Sequence, residues 1–204
     1  MINFQFYCPT HFYFGRGEHK NVGHYLKERG AKKVLLIRYG LPHEETLFND
    51  ISKAITDAGL TFIDFAGIKA NPDYYRAKEG TEIAKKEGVD FILAIGGGSV
   101  IDTAKFIGVD ALFEGDLWDY CYIKGKIADN TLPVGVVLTL AGTGSESSDS
   151  SVITRDGFKK NMGGDLIRPV FSILNPELTF TVPPYQTASG IVDMIAHVHE
   201  RYWT

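Results

Sequence analysis

Asp193 and His197, in the segment Ser189-Gly-Ile-Val-Asp-Met-Ile-Ala-His-Val-His-Glu200, are the residues here whose types and spacing best suit a metal ion. Four positions apart on a helix, they stand one turn from each other on the same face. Ile191, Val192, Met194, Ile195, Ala196 and Val198 crowd around them, and this nearly all-round apolarity predicts a buried helix. A buried carboxylate and imidazole need partners, because an isolated buried charge is very costly. One oxygen and one nitrogen donor suit a divalent first-row ion such as Fe2+ or Zn2+. Two donors do not close such a site, and an Asp/His pair at this spacing is by itself more often structural. His199 lies about 200° round the helix from His197 and does not easily complete the set.

Two other segments are suited to phosphates. Gly96-Gly-Gly-Ser99 follows the apolar run 91–95 and opens a helix at Val100. Glycines admit close backbone approach, and free N–H groups at a helix start attract a diphosphate. Ser99 is the expected N-cap, with Asp102 three residues on completing a capping box. Ile101 fills the third glycine position of the common dinucleotide fingerprint, and no Gly-Lys-Ser/Thr follows, so neither that motif nor a P-loop is present. A tight strand-to-helix turn is the plain alternative, but three consecutive glycines exceed what such a turn needs. The second segment, Thr139-Leu-Ala-Gly-Thr-Gly-Ser-Glu146, offers hydroxyls at Thr139, Thr143 and Ser145 after the run 133–138. Ser/Thr/Gly loops are ordinary singly; two at one sheet edge point to a shared cleft.

The elements that must position these loops alternate. Strands are predicted over 33–37, 60–65, 91–95 and 133–138, with helices over about 43–58 and from the Asn71-Pro-Asp73 turn to about Gly88. Continuous apolar strands separated by helices imply a parallel sheet covered on both faces. Phe12-Tyr-Phe-Gly15 and a helix over about 18–29 lead in; short strands at 151–154 and 169–174 follow the second loop. Pro183-Pro184 then introduces the last helix. Glu200 to Thr204 carries no stop signal, so a second, helical unit is expected to begin after about residue 180.

The 204 residues, 44% of them hydrophobic, provide ample core for one compact domain or one domain plus an extension. A formal charge of −4 with interspersed signs argues against nucleic-acid binding. Cys8 and Cys121 form no disulfide framework, the N-terminus has no signal-peptide pattern and no apolar run suits a bilayer. A soluble cytoplasmic protein, with no nucleic-acid or membrane partner, is the expectation.

Phe14-Gly-Arg-Gly17, Asn71-Pro72, Gly96 to Lys105, Thr139 to Glu146 and Gly190 to Glu200 occur in the order found in the iron-containing (group III) alcohol dehydrogenases, and the chain resembles their butanol-dehydrogenase-like, aldehyde reductase branch. The resemblance covers nearly the whole chain and implies the N-terminal half of such an enzyme. The implied fold is α/β, a Rossmann-like parallel sheet with helices on both faces (dehydroquinate synthase-like), plus the first helix of an all-α domain. Residues 1–180 would form the dinucleotide-binding domain and 181–204 the start of a truncated helical metal-binding domain. By position, Gly97, Gly98 and Ser99 would hold the pyrophosphate and Asp102 would support that loop. Asn71, Thr139, Leu140, Thr143, Lys160 and Leu178 would line the rest of the cofactor groove. Asp193 and His197 would be the first two metal ligands, two further histidines coming from the helical domain; no catalytic group separate from the metal site is implied. The implied activity is metal-dependent hydride transfer between NAD(P)H and a small alcohol or aldehyde.

For the cofactor, an acidic residue after the second strand of the nucleotide domain would bind a ribose 2′-hydroxyl. Arg38-Tyr39-Gly40 has none, and Arg38 suits a 2′-phosphate, so NADP(H) is favoured over NAD(H); the alternative is a solvated strand end. Leu41-Pro-His43 also departs from the Gly/Ser-rich loop of the aldehyde-reductase branch. An exposed strand over 4–14 suggests a possible homodimer. The competing readings are a non-enzymatic dinucleotide-binding module lacking a complete metal site, and a relative of glycerol dehydrogenase or dehydroquinate synthase. The match over 190–200 disfavours the latter.

Overall fold

Val34, Leu35, Leu36 and Ile37 are all fully buried, as are Phe91 to Ala94, so these runs need cover on both faces. The computed structural model, which describes residue 3 and residues 5–203, supplies it. In chain order the strands are β1 (His11–Phe14), β2 (Lys33–Arg38), β3 (Thr61–Phe65), β4 (Phe91–Gly96), β5 (Val134–Leu138), β6 (Ser150–Arg155), β7 (Phe158–Gly163) and β8 (Phe171–Leu174). The α-helices are α1 (Val22–Glu28), α2 (Glu45–Asp57), α3 (Tyr74–Glu87), α4 (Gly98–Asp110) and α5 (Pro184–Trp203).

Six strands form one parallel sheet in the order β1-β8-β5-β4-β2-β3. Alternate residues of β2 divide between two cores. Leu35 and Ile37 pack with Ala77 and Ala84 of α3 and Val100, Ile101 and Ala104 of α4. Val34 and Leu36 pack on the opposite face with Val22 and Leu26 of α1 and Ile51 and Ile55 of α2. From β2 the chain moves outward to β3, then crosses back to β4, so the winding reverses between β2 and β4. Ligands of open α/β sheets bind outside the carboxyl ends of the strands at such a reversal.

The α/β fold agrees with the expectation from sequence; three local features differ. The predicted helix over 18–29 divides into a 3-10 turn, Glu18–Asn21, and α1. β7, with β6, forms a separate antiparallel hairpin that the reading had not placed, because Phe158-Lys-Lys-Asn-Met-Gly163 is mostly polar and exposed. Asp156 and Gly157 at its tip both have positive φ (51° and 80°), the conformation a two-residue hairpin turn requires. The third difference is α5, which was expected to be buried: none of its residues is. Val192, Val198 and Trp203 are 63%, 67% and 79% exposed. Apolarity reports a demand for cover, not its source, and no other described element covers this helix.

Of the strand expected over 4–14, Phe4 lies outside the described residues, as do Met1, Ile2 and Thr204; the strand formed is β1, at the sheet edge beside β8. Among the described residues no helix is long and apolar enough to cross a membrane.

Candidate dinucleotide and metal site

The fully buried β4 delivers Gly96, Gly97 and Gly98 to the carboxyl edge of the sheet. Each glycine has a steric reason. A Cβ on Gly96 would lie 2.6 Å from Val100 Cγ2, one on Gly97 3.2 Å from Leu140 Cβ, and one on Gly98 2.7 Å from Thr143 Oγ1. Close packing of strand, helix and the loop after β5 therefore favours glycine at all three, most firmly at 96 and 98, and the triplet alone does not specify phosphate. The stronger signal is the start of α4. Its N-cap is Gly97, not Ser99 as the capping-box reading held, and no side chain caps it. The Val100 and Ile101 N–H groups donate to Gly97 O, both at 3.1 Å; those of Gly98 and Ser99 have no partner within the helix and no side-chain cap, which leaves them for an anion.

Asp102 does not serve as a capping-box partner either. Its Oδ1 accepts from Ser145 Oγ at 2.5 Å and its Oδ2 from the Val152 N–H at 3.0 Å. Burial pushes its carboxyl above the usual range, while the Ser145 and Val152 hydrogen bonds oppose the shift. One turn on, the fully buried Lys105 Nζ donates to Ser145 Oγ (3.2 Å), Ser148 O (2.9 Å), Ser148 Oγ (3.1 Å) and Ser150 O (2.8 Å). Burial pushes this ammonium down to about 8, against the opposing pull of Asp102. α4 thus holds the glycine loop at its N-terminus and the 145–152 segment along its side.

A cleft of about 910 Å³ lies against the loops that follow β2 and β5. Tyr39, Leu41 and Glu44 enclose it after β2, Leu47 and Asp50 from α2, and Thr139 and Leu140 after β5. Asn175, Leu178 and Gln186 complete its far side. Leu140 and Gln186 are shared with a second cavity of about 300 Å³, walled also by Gly98, Gly142, Thr143 and Asp193. A path therefore leads from Glu44 past the start of α4 to Asp193.

Of the residues singled out in the sequence, Gly98, Thr139, Leu140, Thr143, Leu178 and Asp193 line this path, and Gly97 and Ser99 adjoin Gly98. Arg38, Asn71, Asp102, Lys160 and His197 do not line it. Arg38 is not a solvated or phosphate-facing cation. It forms a bidentate pair with Asp64 (Nε–Oδ1 2.8 Å, Nη2–Oδ2 2.7 Å) and lies 4.0 Å over the Phe48 ring. The Asp64 hydrogen bond raises its pKa further. Lys160 is exposed on β7, and it is its neighbour Lys159 that reaches Asn71 Oδ1, at 3.4 Å.

Two buried polar side chains in the cleft wall carried no sequence signal. His19 Nδ1 pairs with Asn175 Nδ2 at 3.1 Å and its Nε2 with Asp50 Oδ2 at 3.3 Å. Glu44 Oε2 accepts from the N–H groups of Gly40 (2.8 Å) and Leu41 (3.1 Å).

On α5, Asp193 Oδ1 and His197 Nε2 lie 3.7 Å apart, both about half-exposed. They present one oxygen and one nitrogen from adjacent turns, a donor set a divalent ion accepts. Among the described residues no group of three His, Cys, Asp or Glu side chains converges to complete it.

The family model for iron-containing alcohol dehydrogenases matches residues 9–176. The chain belongs to this family. Among similar proteins of the family, "Probable NADH-dependent butanol dehydrogenase 1" of Bacillus subtilis strain 168 is 42% identical over 205 residues, covering 100% of this chain and 53% of the relative. The NADPH-dependent aldehyde reductase YqhD of Escherichia coli K12 is 33% identical, again over 100% of this chain and 53% of its own length. The crystal structure of NADH-dependent butanol dehydrogenase A from Thermotoga maritima superposes with a TM-score of 0.92 at 36% identity, covering 97% of this chain and 50% of that one. The chain spans about half the length of the relatives it matches.

Proposed function

We propose that this chain is the dinucleotide-holding half of a metal-dependent alcohol dehydrogenase or aldehyde reductase, moving a hydride between NAD(P)H and a small alcohol or aldehyde in the cytoplasm. The observation that carries the reading is the uncapped start of α4, whose Gly98 lines the cavity of Asp193, a cavity that shares Leu140 and Gln186 with the large cleft. Residues 1–180 would form the dinucleotide unit and 181–204 the beginning of the metal-holding one.

In this reading the first-turn amides of α4, with Gly97, Gly98 and Ser99, bind the pyrophosphate. Leu41, Leu47 and Leu178 supply apolar surface for the adenosine end. Thr139, Leu140 and Thr143 orient the nicotinamide and, with Gln186, separate it from bulk water. Asp102 and Lys105 hold the Thr139–Glu146 loop in register. Asp193 and His197 would hold a divalent ion, Fe2+ or Zn2+, the first supplying charge and the second a neutral nitrogen. When bound, such an ion supplies Lewis-acid polarisation of a carbonyl or stabilisation of an alkoxide. The argument for NADP(H) from Arg38 loses its basis, since Asp64 occupies that guanidinium.

Gly98→Val tests the assignment. Its branched side chain would meet Thr143 and cover the start of α4, so NADH affinity, read by fluorescence titration, should fall at least roughly tenfold with a retained circular-dichroism spectrum. Unchanged affinity in the folded variant would sink the phosphate assignment. A second reading, a dinucleotide-binding module without turnover, is favoured by the two-donor metal set. Turnover of butanal by the chain with NADH and added Zn2+ would exclude it.

A further inference from the structure

Asp193 and the Thr139–Thr143 loop lie on the β5 side of the glycine loop, so a dinucleotide whose nicotinamide points there extends its adenosine towards β2 and the loop that follows it. In that loop Gly40, at φ 82°, turns the chain so that two successive N–H groups, of Gly40 and Leu41, converge on one oxygen of Glu44. Converging backbone amides of this kind form an anion-binding concavity. Here the chain fills it with its own carboxylate, which is buried and lines the cleft.

The cations of this region each have a carboxylate partner. Arg38 is paired with Asp64, Arg16 with Glu177, and Lys20 reaches Asp50. Tyr39 also feels the Glu44 charge: burial, first, pushes its phenol up, a Ser99 hydrogen bond opposes this, and Glu44 adds to the rise. A ligand entering this end meets a carboxylate with two amide donors already used.

NAD and NADP differ only at the adenosine 2′ position, a hydroxyl in one and a phosphate carrying nearly two negative charges in the other. We propose that Glu44 makes the cleft selective for NAD(H): its Oε1 accepts the 2′-hydroxyl, and its charge rejects the 2′-phosphate. The inference rests on the dinucleotide reading above and reverses the preference drawn from Arg38. Discrimination of this kind uses a repulsive element as well as an attractive one.

The test is fluorescence titration of the 204-residue chain with NADH and with NADPH. NADH should bind at least roughly tenfold more tightly. In Glu44→Gln, which keeps an oxygen for Gly40 and Leu41 and removes the charge, the ratio should approach one. Raising salt from about 0.05 to 0.5 M should also narrow the wild-type ratio by screening. Equal wild-type affinities, or an unchanged ratio in folded Glu44→Gln, would overturn the proposal. If that variant does not fold, the salt series decides, and a flat ratio overturns it. Binding of neither dinucleotide overturns the cofactor reading itself, and the selectivity with it.

Discussion

Lys105 shows how a single side chain can be costly to bury and still be needed where it is. Its ammonium sits fully inside the protein, its three N–H groups shared among four oxygens that tie α4 to residues 145–150. In the folded chain it loses its proton at about pH 8; in the unfolded chain it does so near the ordinary lysine value of about 10.4. Between these limits the unfolded chain binds more protons, so the Lys105 contribution to stability rises with pH across that window; below it the full cost of burying the charge applies. Urea midpoints measured from pH 7.5 to 10.5 should therefore climb more steeply in wild type than in Lys105→Met. Parallel curves would mean that Lys105 does not titrate in this range. The same variant should weaken NADH binding, because Ser145, held jointly by Asp102 and Lys105, belongs to the Thr139–Glu146 loop. At this scale the sequence was only partly legible. Glycines and hydroxyls in loops declare themselves by type. Arg38 could not be read correctly, because its partner Asp64 is 26 residues away, and Glu44 has no type or spacing that marks it, since its amide partners come from the turn of the chain at Gly40.

Among the elements, contact between backbones decides more than composition. α1 crosses α2 so closely that a Cβ on Gly23 would lie 2.0 Å from the carbonyl oxygen of Ala54, a backbone atom that cannot swing aside. Gly30, just beyond α1, has φ 78° with nothing near its missing Cβ. Gly23→Ala forces the helices apart and should cost about 1–3 kcal/mol, whereas Gly30→Ala strains only one residue, by roughly 1–2 kcal/mol. Chemical denaturation of both would show Gly23→Ala as the more damaging change; the reverse order would mean that the α1–α2 crossing is loose. Strands β2, β4 and β5 were legible because a strand covered on both faces must be apolar throughout. β7 was not, since a two-stranded surface hairpin needs only a suitable turn and one buried contact, here Met162.

Across the whole molecule, cohesion is uneven. The sheet and helices α1–α4 enclose two cores, while α5 has no buried residue and approaches the rest at the loop after β5, where a Cβ on Gly190 would lie 2.9 Å from Ala141 O. Regions with few buried apolar contacts open locally, at far lower free energy than core strands. Amides of α5 should accordingly exchange with solvent roughly a hundredfold or more faster than those of β2, β4 and β5. The Asp193–His197 pair makes this difference informative about the metal. A divalent ion that bridges donors on successive turns staples them, because binding to the helical form alone stabilises it by mass action. Millimolar Zn2+ at constant pH should slow exchange in α5 of the wild-type chain and leave it unchanged in His197→Ala. Equal slowing in both would mean that the ion binds elsewhere, and Asp193 and His197 would then be a structural i, i+4 pair on an exposed helix.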